Sequence, residues 1–295
     1  MANKRIETTT SRTAEWTCLS RAMSSLEKNE CFRSDDTLAL QLLPKHIKAI
    51  IGIPLVRKFF WKLVPAKGMY EYVIARTKYL DKVFKAALDE RFEQILIFGA
   101  GFDTRALRFQ ELSRRTKIFE LDAATTQDAK IVQYQKRGLS IPPNLTFIPI
   151  DFDKESLSVK LEEAGFDRHK RSFFVLEGLL MYLQPGSVDE TFRTIRDFAG
   201  AGSQVVFDYV YLSVLRLEEL YDGERKIVEQ VSKAGENWHF GIEKGKIGQF
   251  LSIYDLRLWE QQDAQQLKQM YFKDPTGKIV GYVNGTHCLV RAEKI

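Results

Sequence analysis

The run Gln94-Ile-Leu-Ile-Phe98, followed at once by Gly99-Ala100-Gly101, constrains this chain more than any other stretch. A short apolar run with no polar alternation reads as a strand buried on both faces, as in a parallel sheet covered by helices. The two glycines let the backbone turn sharply and let a ligand approach where a Cβ would otherwise stand. Just upstream, Leu80, Val83, Phe84, Ala87 and Leu88 recur at i, i+3, i+4, i+7 and i+8, an apolar helix stripe that ends near Glu90. The hydrophobic period therefore switches from helix to strand immediately before the glycine turn.

From there the two signals alternate. Lys117–Leu121, Leu145–Ile150, Ser172–Leu176 and Gln204–Val210 read as strands, and 254–260 and 286–292 as late strands. Thr125 to Lys136 reads as a helix closed by Gly138. Ser187-Val-Asp-Glu190 has capping-box spacing, with Val188, Phe192, Ile195 and Phe198 as the helix face behind it. Such alternation predicts an α/β fold with an open parallel sheet covered on both faces.

The chain before residue 90 reads as helices. Trp16, Leu19, Met23 and Leu26 fall at helical spacing, and Asp35-Asp36 can cap a short helix that Pro44 stops. Between 45 and 65 lies an apolar, basic segment (Ile47, Ile50, Ile51, Ile53, Leu55, Val56, Phe59, Phe60, Trp61), broken by Pro54 and Pro65. No polar basic face is marked in it, so burial as a cap is expected in preference to a membrane-surface role. With no repeat or linker, residues 1–295 are expected to form one domain: helical cap 1–90, core 91–212, mainly helical lid 213–250 and C-terminal strands 251–295.

Composition narrows the function classes. No segment approaches the roughly 18 uncharged apolar residues of a membrane span. The start Met-Ala-Asn-Lys-Arg lacks an apolar signal region, so a cytoplasmic location is expected. Cys18, Cys31 and Cys288 are too scattered for a disulfide framework or a zinc site and are expected as buried free thiols. The net charge of +5 is spread among mixed signs, with no basic run suited to a nucleic-acid backbone.

In an open α/β sheet the ligand lies beyond the carboxyl ends of the strands. There the sequence places Gly99-Ala100-Gly101-Phe-Asp103-Thr-Arg105, Glu120-Leu-Asp122, Asp151-Phe152-Asp153, Glu177-Gly178 through Tyr182, and Asp208-Tyr209. Thr104 stands where a dinucleotide fingerprint has its third glycine, and Asp103 would oppose a pyrophosphate. Asp122 can accept from ribose hydroxyls, Asp151 from an adenine amino group, and Phe152 can lie against the base. Acidic strand ends around one crevice suit a ligand that carries positive charge, such as the sulfonium and ammonium of S-adenosyl-L-methionine.

Arg76-Thr-Lys-Tyr-Leu-Asp81, FGAGFDTRALRF (98–109), FELDAATTQDAK (119–130), Asp151 and LEGLLMYLQP (176–185) together resemble the leucine carboxyl methyltransferase superfamily, in its bacterial and archaeal branch of O-methyltransferases. The resemblance implies a Rossmann-like class I methyltransferase with a mostly parallel seven-stranded sheet, helices on both faces and an N-terminal helical cap. It implies S-adenosyl-L-methionine as cofactor, with Arg76 holding the cofactor's carboxylate and Gly99, Ala100, Gly101 and Asp103 forming the turn beneath it. By the same likeness Asp122 serves the ribose, Asp151 the adenine side, where Phe152 is the candidate to lie against the base, and Glu177 the amino group, with Tyr182 facing the acceptor. Arg105 either orients an acceptor carboxylate or pairs with Asp103 or Glu120 to stiffen its loop.

His239, after Trp238, is the general-base candidate for a hydroxyl acceptor, while His46, His169 and His287 have no suggestive partners. Trp238, Phe240, Tyr209 and Tyr211 are candidate pocket aromatics. A carboxylate acceptor needs no base, so the absence of an obvious one favours a small-molecule or peptide-terminal carboxylate. The rival readings are an NAD(P)-dependent oxidoreductase and a cofactor-binding regulatory protein without transfer.

Overall fold

A computed structural model of the chain describes residues 9–63 and 65–295. Residues 1–8, read above for a targeting signal, and the side chain of Trp61 lie outside the described parts. Helix α1 (Arg12–Ser24) is capped by Ser11, whose hydroxyl accepts from Ala14 N at 3.1 Å. Asp36 caps α2 (Thr37–Leu42) through Ala39 N at 3.1 Å. Leu43, forced extended by the proline after it, ends α2 at φ −74° and ψ 151°.

Helices α3 (Lys45–Gly52) and α4 (Pro54–Leu63) then split the apolar, basic segment in two, with Pro54 pre-set for a first helical turn. Here burial is less complete than expected: Ile50, Ile53, Leu55 and Phe59 are 49–63% exposed. The inward face is taken up by Ile51 and by Arg57. The Arg57 guanidinium donates to Ile51 O at 2.6 Å and Gly52 O at 3.3 Å and pairs with Glu27 at 3.1 Å. Two short helices offer only one inward stripe each, so the remaining apolar side chains face out. Among the described residues no helix is long and apolar enough to cross a membrane.

Helix α5 (Met69–Asp89) carries the predicted stripe, with Leu80, Val83, Phe84, Ala87 and Leu88 all buried. The sheet follows: β1 (Gln94–Phe98), α6 (Arg105–Arg108), β2 (Lys117–Asp122), α7 (Ala124–Arg137), β3 (Leu145–Pro149), α8 (Leu157–Glu163), β4 (Ser172–Leu176), α9 (Pro185–Phe198) and β5 (Gln204–Val210). Short α10 (Leu212–Leu215), α11 (Glu224–Lys233) and α12 (Ile247–Ser252) precede β6 (Leu256–Gln262), α13 (Ala264–Tyr271) and β7 (His287–Lys294). The order is β3-β2-β1-β4-β5-β7-β6, with β7 antiparallel to both neighbours and the pairs from β3 to β5 parallel.

Every residue of β1 is buried, and its side chains alternate between two cores. Ile95 and Ile97 join the layer of α1 and α5, whereas Leu96 and Phe98 join the layer of α8, α9 and α12. This is why the sequence there shows no polar alternation. Cys18, Cys31 and Cys288 are free and buried.

Three local readings shift. The expected capping box does not form, because Pro185 starts α9 three residues earlier, after Gln184. Ser187 lies inside the first turn and donates to Asp153 Oδ1 at 2.6 Å. Strand β6 begins two residues later than read, because Asp255 adopts a left-handed turn conformation at φ 55°. Between 213 and 250 helix is confined to short elements, and the intervening chain is tied to the sheet end by a Tyr211–Ile242 bridge.

Candidate functional site

Strand β1 lies between β2 and β4, so the loops leaving β1 and β4 diverge to opposite faces and leave a crevice at their carboxyl ends. A cavity of about 530 Å³ occupies it, within the range of small-molecule and cofactor sites. Its floor is Gly99-Ala100-Gly101 with Asp103, Asp122 and Glu177, and Arg76 and Tyr72 reach it from α5. Its roof is the start of α1 and the segment around α11, which contribute Trp16, Ile227 and Trp238.

The turn depends on glycine at position 101. Its φ of 48° is left-handed, and a Cβ there would stand 3.1 Å from Ala14 Cβ of α1. Gly101 N–H donates to Asp122 Oδ2, and Ala123 N–H donates to Asp122 Oδ1 at 2.6 Å. Burial pushes the Asp122 carboxyl up to about 6 against the opposing pull of those two N–H groups.

Beneath the cavity runs a buried chain of ion pairs. Arg76 Nη1 donates to Asp208 Oδ2 at 2.8 Å and Arg76 Nε to Glu177 Oε1 at 2.9 Å. Arg105 then binds Glu177 Oε2 at 2.8 Å, Asp103 Oδ2 at 2.5 Å and Asp81 Oδ1 at 2.8 Å. Arg108 continues from Asp81 to Asp36 at 2.7 and 3.4 Å, and Arg21 closes on Asp36 at 3.0 Å. Burial alone would raise Asp103, but the Arg105 guanidinium, with Lys130 and Arg21, holds it down at about 2. Asp208 is likewise lowered: burial would raise it, but Arg76 together with His287, the Gly178 N–H and the Tyr72 hydroxyl outweighs that. Arg76 Nη2 has no hydrogen-bond partner among the described residues, although Arg76 lines the cavity.

Among the residues read from sequence, Arg76, Gly99, Ala100, Gly101, Asp103, Asp122, Glu177 and Tyr182 come together on the cavity wall. Burial raises the Tyr182 hydroxyl, which contacts Thr13 Oγ1 at 3.5 Å. Four residues are not brought to the lining. Arg105 is fully buried below it in the ion chain, the loop-stiffening arrangement with Asp103 rather than a position to meet an acceptor. Asp151 and Phe152 sit outside it: Asp151 pairs with Lys154 at 3.4 Å, and Phe152 packs towards Phe98 at 6.1 Å. His239 is exposed; only its backbone N–H is engaged, with Met181 O at 2.7 Å. Of the candidate aromatics only Trp238 lines the cavity, since Tyr209 and Tyr211 are in the core and Phe240 packs on Phe250.

Two further wall residues matter: Glu236, not singled out from sequence, and His287, read there as having no suggestive partner although the fold supplies several. Glu236 accepts from Ser11 Oγ at 3.2 Å, Arg12 N at 2.7 Å and Thr13 N at 3.2 Å, and so clasps the start of α1 to the lid. His287, the first residue of β7, is buried against Tyr72 and Trp238. Neither carries a local sequence signal, because both reach the cavity through contacts more than 200 positions apart in the chain.

A seven-stranded sheet of this order with a single reversed strand, and a cavity at its switch point, defines a Rossmann-like class I methyltransferase fold. The chain belongs to the leucine carboxyl methyltransferase family, whose family model matches residues 14–196. It is 26% identical over 201 residues to "Putative S-adenosyl-L-methionine-dependent methyltransferase YktD" of Bacillus subtilis (strain 168), covering 68% of this chain and 66% of that protein. It is 30% identical over 142 residues to a Mycolicibacterium paratuberculosis (strain ATCC BAA-968 / K-10) protein named "Putative S-adenosyl-L-methionine-dependent methyltransferase", covering 48% and 44%. The chain thus spans about half to two thirds of these relatives' length. In fold it is similar to a "duf574 family protein" of Streptomyces avermitilis at TM-score 0.61 and 11% identity, covering 99% and 100% of the two chains. The crystal structure of a "putative methyltransferase" from Thermobifida fusca gives TM-score 0.60 at 15% identity, covering 96% and 97%.

Proposed function

We propose that this chain is an S-adenosyl-L-methionine-dependent O-methyltransferase acting on a small acceptor with a largely apolar body. The observation that carries the reading is the convergence of three features on one cavity: the Gly99–Gly101 turn, the Asp122 carboxylate and the unengaged Nη2 of Arg76. Family membership supports the same cofactor class.

The residues present fit that cofactor. A Cβ at Gly101 would press on Ala14, so glycine there lets the start of α1 close down over the turn that floors the cavity. Asp122 offers acceptor capacity for ribose hydroxyls, and Arg76 Nη2 offers N–H groups for a carboxylate. In the ion chain five carboxylates face four guanidiniums, and Asp122 and Glu236 add to the acidic excess of the walls. That balance favours a cationic ligand over a pyrophosphate. When bound, the cofactor supplies an electrophilic methyl group on a sulfonium sulfur.

The protein's own contribution is positioning. The ion chain fixes Arg76 and Glu177 in place, and the clasp of Glu236 on α1 closes the roof and excludes water. Holding the acceptor oxygen in line with the methyl group contributes on the order of 7–11 kcal/mol. The carboxylate acceptor favoured from sequence is less well supported than a neutral one. Such an acceptor needs a cation, yet Arg21 and Arg105 are engaged in ion pairs, while Arg12 and Lys233 stand exposed at the rim.

Calorimetric titration of the purified chain with S-adenosyl-L-methionine and S-adenosylhomocysteine, with NADH as control, tests the reading. Micromolar binding of the first two, weakened in Asp122→Asn and Arg76→Lys, is expected. A folded sample that binds neither, or binds NADH instead, overturns it.

A further inference from the structure

His287 occupies a position that the ion chain does not explain. It is 3% exposed, lines the cavity, stacks on Tyr72 with ring centroids 4.5 Å apart, and meets the edge of Trp238 at 5.4 Å. Its Nδ1 lies 2.7 Å from Thr286 Oγ1, and the direction of that bond follows from the residues behind it.

Asn284 Nδ2 donates to two carbonyls, Lys67 O at 2.9 Å and Asp222 O at 2.8 Å, which can only accept. That fixes the amide orientation, so Asn284 Oδ1 is the acceptor for Thr286 N at 3.0 Å and Thr286 Oγ1 at 2.7 Å. The threonine hydroxyl has one proton, and it is spent on Asn284. Towards His287 the hydroxyl can only accept, so Nδ1 carries the ring proton and Nε2 is left as a bare lone pair. Nε2 has no hydrogen-bond partner among the described residues. A buried basic nitrogen of this kind, on the wall of a cavity, asks for a donor from the ligand.

We infer that His287 Nε2 is the group that receives the acceptor, and that the acceptor therefore presents a protic oxygen, a phenol, enol or alcohol on an apolar body, rather than a carboxylate. The inference rests on the methyltransferase reading above. In the transfer the acceptor O–H bond breaks with its proton going to Nε2, and the oxygen forms the new O–CH₃ bond. The methyl–sulfur bond breaks with its electron pair kept by sulfur, so one positive charge passes from the donor to the imidazolium. Apolar surfaces of Trp16, Met69, Val73, Ile227 and Trp238 are available to the body of such an acceptor.

The surroundings keep the ring neutral before the reaction. Tyr72 and Arg76 face it from α5, Asp208 from β5, and Cys288 follows it on its own strand. Burial pushes its imidazolium down to about 4, assisted by Arg76 and opposed by Asp208. The Asp208 carboxylate is also the charge that offsets the imidazolium once a proton arrives.

The test is ¹⁵N NMR of the four histidines of the 295-residue chain at pH 7, with His287→Phe for assignment. The expected result is an Nδ1–H ring at His287 with a bare Nε2, and population of the other tautomer in Thr286→Val. With S-adenosylhomocysteine present, phenol should shift the Nε2 resonance while anisole, which has no donor, should not. His287→Phe should weaken phenol binding by about two- to tenfold and leave anisole unchanged. An Nε2–H ring, a cationic ring at pH 7, or an Nε2 that phenol does not move overturns the inference. These outcomes are separable from failure of the cofactor reading. If S-adenosylhomocysteine does not bind by calorimetry, the methyltransferase reading fails whatever the tautomer; if it binds and Nε2 carries the proton, only the role of His287 fails.

Discussion

Asp122 at the end of β2 accepts the backbone N–H of Gly101 from the turn after β1, so one carboxylate joins the two strand ends that bound the cavity floor. The contact closes the turn and holds the carboxylate on the cavity floor.

Asp122→Asn loses the charge and can accept from only one of the two N–H groups, Gly101 or Ala123, because its amide nitrogen only donates. Hydrogen bonds to charged groups contribute about 1.5–3 kcal/mol, so cofactor affinity should fall roughly ten- to hundredfold, with a lowered Tm from the lost backbone bond. Wild-type affinity should also depend on pH. Because the carboxyl is held up at about 6, acidification through that value protonates it and removes the charged acceptor. Calorimetry between pH 5 and 8, spanning that value, should show binding strengthening as pH rises and a flat profile in the variant.

Arg76→Met should be costly for the fold as well as for binding. It leaves the buried Asp208 carboxylate without its guanidinium and Glu177 with Arg105 alone, and loss of one partner of a buried pair costs about 3–5 kcal/mol. Chemical denaturation should register that loss. Arg76→Lys keeps the charge and should unfold later than the methionine variant, while still weakening the cofactor because the fork is gone.

Glu120 and Lys130 form a pair at 2.5 Å with each side chain 1% exposed. Burial raises the Glu120 carboxyl to about 7 in spite of Lys130. A folded value above the ordinary one of 4.5 means the folded state binds the proton more tightly. This group's contribution to stability is thus full below about 4.5 and lost as pH rises through about 7. Glu120→Gln should flatten that part of the stability profile. Lys130→Met alone should destabilise by about 3–5 kcal/mol, and Glu120→Leu with Lys130→Met should recover most of it.

The Glu236 clasp gives a local prediction. Glu236→Ala removes the acceptor for Ser11 Oγ, Arg12 N and Thr13 N, a capping loss of about 0.5–2 kcal/mol. Hydrogen exchange should speed up at the start of α1 and leave β1 unchanged. Equal acceleration in both would show that the clasp stabilises the whole domain instead of the roof.

His239 and His287 should behave oppositely. His239 is exposed and outside the cavity lining, so His239→Ala should leave methyl transfer within about twofold, the behaviour of ordinary surface positions. His287→Phe should slow transfer to a protic acceptor by about 10²–10⁴-fold.

Much of the architecture was legible because it is written in local periods. The unbroken apolar run of β1, the i, i+3, i+4 stripe of α5 and the Asp36 cap each follow from neighbours within a turn or a strand. The strand-end residues Gly99, Gly101, Asp122 and Glu177 were legible as well, since an open α/β sheet collects strand ends at one edge. Where the reading slipped, a nearby residue outweighed the pattern: Pro185 displaced the capping box, and the left-handed Asp255 delayed β6.

By itself, then, the sequence determined the alternation of strands and helices, the glycine turn and the acidic strand ends, because those depend on spacing along the chain. Only the tertiary structure decided what each charge faces. It buried Arg105 among three carboxylates, left Asp151 paired with Lys154 outside the cavity, and carried His287 from the last strand to the ring of Tyr72. The same packing left Ile53, Leu55 and Phe59 in solvent, where hydropathy alone had placed them inside. The physical reason is that ion pairing, tautomer and burial are properties of three-dimensional neighbours, and those neighbours lie tens to hundreds of residues apart in the chain.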